Sequence, residues 1–298
     1  VNYAQYTSLN HMFEESFRKY ADRNAFECMG VNMTYRELDV ASQQFAAYLQ
    51  SLGLQQGDRV ALMMPNVLQY PIAITGVLRA GLVVVNVNPL YTPRELEHQL
   101  KDSGAKAIVI LENFAHVFQQ IQKNVPVEHI LVTSMGELMG FKGKIVNFVV
   151  RKIKKLVPEW HLPTSSNFKD ALSKGASHTL IPPHVSHDDI AFLQYTGGTT
   201  GVSKGATLIH RNILANLLQT EAWLEPGLRG KHIDQLVFIC ALPLYHIFAL
   251  TVCCLMGTRL GGMNILIPNP RDIPGLIKTL SKHKFNLFPG FGRAWMEF

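Results

Sequence analysis

Short, continuously apolar runs alternate with amphipathic stretches along nearly the whole chain. Val60-Ala61-Leu62-Met63-Met64, Val83-Val84-Val85, Ala105 to Leu111 and Ile130 to Thr133 carry almost no polar residues. Runs of this kind read as strands buried on both faces. Between them lie helix-start signals. Thr34-Tyr35-Arg36-Glu37 is a capping box opening a helix with Leu38, Phe45, Leu49 and Leu52 on one face. Gln69 to Arg79 reads as an apolar helix, and Phe114 to Gln122 as another. Thr92-Pro93-Arg94-Glu95 is a second capping box with proline at the first helical position, and Leu96 and Leu100 continue its inner face. The pattern resumes with strands near Ala191 to Gln194, Gly205 to Ile209, Leu236 to Ala241 and Asn264 to Ile267. Helices are expected at 211 to 223, 246 to 257 and 272 to 282. Such alternation dictates βαβ units, so the fold class is α/β with parallel sheets covered on both faces. A length of 298 residues accommodates two such layers.

Composition excludes several classes. Hydrophobic residues make up 47% and charged residues 17%, which is too apolar for a disordered chain. Cys28, Cys240, Cys253 and Cys254 show no metal-ligand spacing and no disulfide-scaffold density, which points to a reducing, cytoplasmic setting. The adjacent Cys253 and Cys254 fall on an apolar helix and read as packing. The first residues carry neither a basic n-region nor an apolar h-region, so no leader is expected. The longest uncharged apolar stretches, such as Ile247 to Gly257, fall well short of the ~20 residues that a spanning helix needs.

The net charge of +6 is concentrated. Lys142, Lys144, Arg151, Lys152, Lys154 and Lys155 match the whole surplus, with no acid among them. A nucleic-acid binder spreads its basic residues over a docking face, so no nucleic-acid partner is expected. On a helix running from Lys144 to a stop at Pro158, Ile145, Val146, Phe148, Val149, Val150, Ile153, Leu156 and Val157 share one broad face. Asn147, Arg151, Lys154 and Lys155 lie opposite, and Lys152 intrudes on the apolar side. Two readings fit: a segment, 141–157, resting on an anionic membrane surface, or a core-docked helix with a solvated charged face.

The densest chemistry lies in Tyr195-Thr196-Gly197-Gly198-Thr199-Thr200-Gly201-Val202-Ser203-Lys204-Gly205, with four glycines, three threonines and one lysine between two apolar runs. Glycines let backbone amides approach an anion, threonine hydroxyls add neutral donors, and Lys204 adds a point charge. The alternative is a Gly/Thr-rich hairpin with an exposed lysine. A Walker A loop is excluded, because Lys204 follows Ser203 and precedes Gly205 instead of leading Gly-Lys-Ser/Thr into a helix. His246 follows the proline-containing segment Leu242-Pro243-Leu244-Tyr245 and opens an apolar helix, which suits either a ring projecting into a cleft or a helix cap. His184, His187 and His210 have no metal-like grouping.

The loop resembles the signature of adenylate-forming enzymes: acyl-CoA synthetases, luciferases and peptide-synthetase adenylation domains. Three further stretches resemble the bacterial long-chain fatty-acid–CoA ligase branch, namely Leu242 to Leu250, Asn86 to Leu96 and Asn269 to Leu276. The resemblance implies stacked βαβ sheets of that superfamily's N-terminal domain. It implies ATP-dependent conversion of a long-chain fatty acid to an acyl-adenylate, then thioester formation with coenzyme A. It assigns Tyr195, Thr196, Gly197, Gly198, Thr199, Thr200, Gly201, Ser203, Lys204 and Gly205 to the nucleotide, Thr196 also to Mg²⁺, and Lys204 and His246 to catalysis. Ser203 departs from the proline or alanine of many relatives, which predicts a slightly more mobile loop with no donor lost. The helix from Ile247 to Met256 and the strand from Asn264 to Ile267 would wall an acyl tunnel. A fatty-acid substrate also favours the membrane reading of 141–157, on the inner face.

The expected division is one subdomain over 55–212, containing the basic insertion 136–172 and the phosphate loop, and a second over 1–54 plus 213–298. The resemblance covers only the front half of such ligases, so a truncated domain with little acyl-CoA synthesis of its own is expected. Activation of another carboxylic or amino acid, or a non-catalytic nucleotide- or lipid-binding module, is the alternative. A homodimer is compatible with the sequence, which does not fix the oligomeric state.

Overall fold

Local signals are followed closely where they are strongest. The Thr92 hydroxyl accepts the Glu95 amide at 3.4 Å, and the Glu95 carboxylate accepts the Thr92 amide at 2.8 Å. Pro93 then enters the helix, and Gly104 closes it in the left-handed region at φ 61°. A computed structural model describes residues 2–196 and 203–290 of the chain.

In chain order the first elements are α1 (Leu9–Tyr20), β1 (Asn24–Cys28), β2 (Val31–Thr34), α2 (Tyr35–Ser51), β3 (Arg59–Met63), α3 (Gln69–Arg79), β4 (Val83–Asn86) and α4 (Pro93–Ser103). Next come β5 (Ala105–Leu111), α5 (Ala115–Ile121), β6 (His129–Thr133), α6 (Gly140–Phe148), β7 (Ser166–Asn167) and α7 (Phe168–Gly175). The last are β8 (Ile190–Thr196), β9 (Lys204–Ile209), α8 (His210–Leu228), β10 (Val237–Cys240), α9 (Ile247–Ala249), α10 (Met256–Arg259), β11 (Met263–Leu266) and α11 (Ile273–Leu280). Strands β3, β4, β5 and β6 and helices α2 to α5 stand within a residue or two of expectation, whereas α1, β1 and β2 precede the first element expected. The predicted 246–257 helix is built as α9, a π-helical stretch Leu250–Leu255 and α10.

The chain divides into two compact units. The larger, Val40–Met64 with Ile72–Ile209, contains a seven-stranded sheet in the order β7-β6-β5-β3-β4-β8-β9. Its strands are parallel until the β8–β9 pair, where a hairpin replaces the helical crossover and forces an antiparallel edge. Ala61, Met63, Val85, Ile108, Ile110, Leu96, Leu100 and Phe118 form one buried layer of this unit. The other unit, Val1–Asp39, Pro65–Pro71 and His210–Phe298, contains the sheet β10-β11-β1-β2. There Tyr35 is fully buried and its hydroxyl donates toward the carbonyls of Gly262, at 2.7 Å, and Gly257, at 3.0 Å.

The basic segment departs from its expected form. The helix begins at Gly140, passes into a π-helical turn at Val149–Ile153 and ends before Lys155, whose φ of 49° is left-handed. Only Gly143, Val146 and Val150 turn inward. Phe141, Ile145, Phe148, Ile153 and Leu156 stay 54–78% exposed. The cause is steric. The Gly136 and Gly143 backbones touch, and a Cβ on Gly143 would collide with the Gly136 carbonyl. The helix is thus seated along one narrow line. Asn147 accepts the Gly136 amide at 2.8 Å, and Arg151 grips the buried Glu112 carboxylate at 2.8–3.0 Å. A broad apolar face cannot be buried by so narrow a seat.

Candidate active site

The β8–β9 hairpin places the described part of the phosphate loop. Thr196 opposes Lys204, and Tyr195 opposes Gly205. Directly opposed residues project to one face of a sheet. The Thr196 hydroxyl and the Lys204 ammonium therefore stand together where β8 ends and β9 begins, both exposed. A neutral donor beside a point charge suits phosphate oxygens. Gly197, Gly198, Thr199, Thr200 and Gly201 lie outside the described residues.

Behind this pair the hairpin rests on a polar support. Tyr195 is 8% exposed and donates to Asp102 Oδ2 at 2.5 Å. Burial, and then the Asp102 carboxylate, push its phenol well above the ordinary tyrosine range, so it stays a proton donor. The Tyr195 ring lies 2.9 Å from where a Cβ on Gly205 would sit. Gly205 thus serves the packing of Tyr195, whatever it offers a nucleotide. On the returning strand, His98 Nε2 is 3.1 Å from the Ser203 carbonyl oxygen. The Tyr91 phenol is raised by burial first and by the Glu95 charge second. Deeper in the sheet, buried Asn86 donates to Gln194 at 3.1 Å, and Gln99 donates to the Asn86 carbonyl at 2.8 Å. These bonds fix β8 against β4 and α4. His98 and Asp102 are not singled out by the sequence, and Tyr91 stands there only as part of the Asn86 to Leu96 resemblance. The available signal was the His98 and Asp102 spacing of one helical turn.

In the other unit, His246 sits at the N-cap of α9, exposed, with Nδ1 accepting the Phe248 amide at 3.3 Å. An acceptor at Nδ1 leaves the proton of a neutral ring on Nε2, which becomes a donor. The segment leading to it is held by Asn66. Its side-chain amide donates to the carbonyls of Cys240 and Leu242, both at 2.9 Å, and its oxygen accepts the Leu244 amide at 2.8 Å. His210 is buried and accepts the Leu9 amide at 3.1 Å through Nδ1, a structural role. All four cysteines are buried thiols. Hydrogen bonding to Cys253 and then burial raise Cys240, and burial raises Cys254. Among the described residues no three His, Cys, Asp or Glu side chains converge as a metal site, and no helix is long and apolar enough to cross a membrane.

Comparison with known proteins places this geometry. The profile of the family described as AMP-binding enzyme matches residues 13–298. A long-chain-fatty-acid–CoA ligase of Escherichia coli O6:H1 (strain CFT073) is 56% identical over 292 residues, which span 97% of this chain and 52% of that protein. One from Bacillus subtilis (strain 168) is 34% identical, over 95% of this chain and 50% of its own length. The chain spans about half the length of these curated relatives. The anthranilate CoA ligase AuaEII, solved with anthranoyl-AMP, superposes with a TM-score of 0.78 at 20% identity, over 97% of this chain and 51% of that one. A long-chain-fatty-acid-CoA ligase from Archaeoglobus fulgidus superposes with a TM-score of 0.75 at 21% identity, over 95% and 51%. The two structures share the fold, and with the profile covering almost every residue, the chain belongs to the AMP-binding enzyme family.

Proposed function

We propose that this chain supplies the phosphate-binding and acyl-binding part of an AMP-forming long-chain fatty-acid–CoA ligase. The observation that carries the reading is the Thr196–Lys204 pair, two phosphate donors side by side on the hairpin. The relatives at 56% identity supply the substrate class. In such a reaction a carboxylate oxygen attacks the α-phosphorus of ATP and pyrophosphate leaves. The sulfur of coenzyme A then attacks the acyl carbon and AMP leaves. A carboxylate lacks a good leaving group, and adenylation provides one. The Lys204 ammonium and the Thr196 hydroxyl offset the charge that collects on the departing pyrophosphate. The Nε2 proton of His246 suits a hydrogen bond to the carboxylate or the α-phosphate. Ile247, Phe248 and Val252, half-buried, are the side chains we assign to the acyl wall. Each covered methylene adds about 0.8 kcal/mol, so chain length can dominate affinity.

Magnesium fits this arrangement as an ion that arrives with the nucleotide. It keeps several waters and takes one or two protein oxygens, and Thr196 offers one hard hydroxyl oxygen at the hairpin mouth. When bound, it supplies charge neutralisation on the phosphates. We also place the protein at the inner face of the membrane, held peripherally through 141–157, because that segment turns apolar side chains outward among lysines.

Calorimetric titration with ATP and with a non-hydrolysable oleoyl-adenylate analogue tests the reading. Oleoyl-adenylate should bind more tightly than benzoyl- or aminoacyl-adenylate, and Lys204→Ala should weaken ATP by about 10-fold or more, the worth of a charge-assisted contact. Equal affinity for all three adenylates, or ATP binding indifferent to Lys204→Ala, would refute it.

A further inference from the structure

Ser203 is expected to loosen the loop, yet its backbone carbonyl is engaged by His98 at 3.1 Å. We propose that His98 is a positioning residue that latches Ser203 and so fixes the attachment point of Lys204. The inference rests on the reading of Lys204 as a phosphate ligand.

The latch is built on a helix capped at both ends and buried along one face. A capping box starts α4, Gly104 ends it, and Leu96, Gln99 and Leu100 are fully buried beneath it. His98 and Asp102 lie one turn apart and so share a face. Asp102 holds Tyr195, the penultimate residue of β8, and His98 holds Ser203, the residue before β9. Both sides of the hairpin mouth are therefore tied to one rigid face. A carbonyl oxygen can only accept, so His98 Nε2 carries the hydrogen in this bond. A lysine on a long flexible stem loses rotational freedom when it grips an anion, and fixing its backbone beforehand lowers the cost of binding.

The test is titration of the chain with ATP and with inorganic tripolyphosphate, alongside its melting temperature and the hydrogen exchange of the Lys204 amide. His98→Phe should weaken both ligands by about 3- to 10-fold, the worth of one neutral hydrogen bond. Exchange at Lys204 should rise while the melting temperature holds. His98→Gln keeps a side-chain donor and should restore affinity to within about twofold of the parent. Ser203→Ala should give a smaller loss than His98→Phe. If the parent chain binds ATP and His98→Phe binds it equally well, the latch is refuted and the phosphate site stands. A loss of affinity that tracks a loss of melting temperature, without rescue by glutamine, also refutes it, because His98 would then only support the fold. A parent chain that binds neither ligand refutes the phosphate site and this role with it.

Discussion

Replacing Phe148 by serine should separate the chain from anionic membranes without unfolding it. Phe148 is 59% exposed on the outward side of α6, between Ile145 and Ile153, at 55% and 64%. An aromatic side chain covers roughly 150–250 Å², so about 120 Å² of this ring is available for burial. At about 25 cal/mol per Å², full immersion would contribute about 3 kcal/mol, and half immersion about 1.5 kcal/mol. Half immersion alone makes Phe148→Ser bind lipid roughly tenfold more weakly. Arg151 adds little attraction, because it is engaged with Glu112 at 2.8–3.0 Å. Lys144, Lys152, Lys154 and Lys155 supply the charge, at about 1 kcal/mol each near an anionic surface. Co-sedimentation with phosphatidylcholine vesicles, with and without phosphatidylglycerol and at low and high salt, reads both contributions. Binding should require phosphatidylglycerol, fall with salt, and drop about tenfold in Phe148→Ser at an unchanged melting temperature. Equal binding of parent and variant would refute the reasoning. So would a dimer that Phe148→Ser converts to monomer, since a second copy of the chain would then be what covers the stripe.

Two further outcomes follow from the larger unit. Burial opposes ionisation of Asp58, but Lys106 at 2.8 Å, the Gln55 amide and the Arg59 charge outweigh it and hold the carboxyl below its ordinary 3.8. A depressed folded value means that the stabilisation is present above pH 3.8 and lost as pH falls through the folded value, so in urea melts the gap between parent and Asp58→Asn should close below that point; a gap independent of pH would contradict this. Gly143→Ala must drive the Gly136 and Gly143 backbones apart and should cost about 1–3 kcal/mol in the same melts, the range for overpacking, whereas a neutral result would mean that α6 is not seated on that contact.

The elements legible in advance were those with both a period and a punctuation mark. The Thr92 capping box, Pro93 and Gly104 bracket α4 within the chain itself, and the uninterrupted Ala105–Leu111 run admits little but a buried strand. The Ser8 cap with Leu9, Met12, Phe13 and Phe17 carries as clear a signal for α1. The basic helix differs from its expected bounds and burial for a physical reason. A helical wheel counts apolar residues but carries no information on what seats them, and here two touching glycines restrict burial to Val146 and Val150. No periodicity in the segment contains the Gly136 carbonyl.

At the candidate site, the Gly- and Thr-rich stretch gave its donors away by composition, whereas their support could not be read, because it depends on which strand pairs with which. Asp102 lies far from Tyr195 in sequence, and only the order β3-β4-β8-β9 brings α4 behind the hairpin. His246 shows a different limit. As a sequence feature it admits a helix cap or a reactive ring, two readings that compete. In the fold they cooperate: the Phe248 amide occupies Nδ1 and thereby assigns the proton of the neutral ring to Nε2. Capping is what prepares the other nitrogen to donate, so the structural role gives no ground for discounting the chemical one.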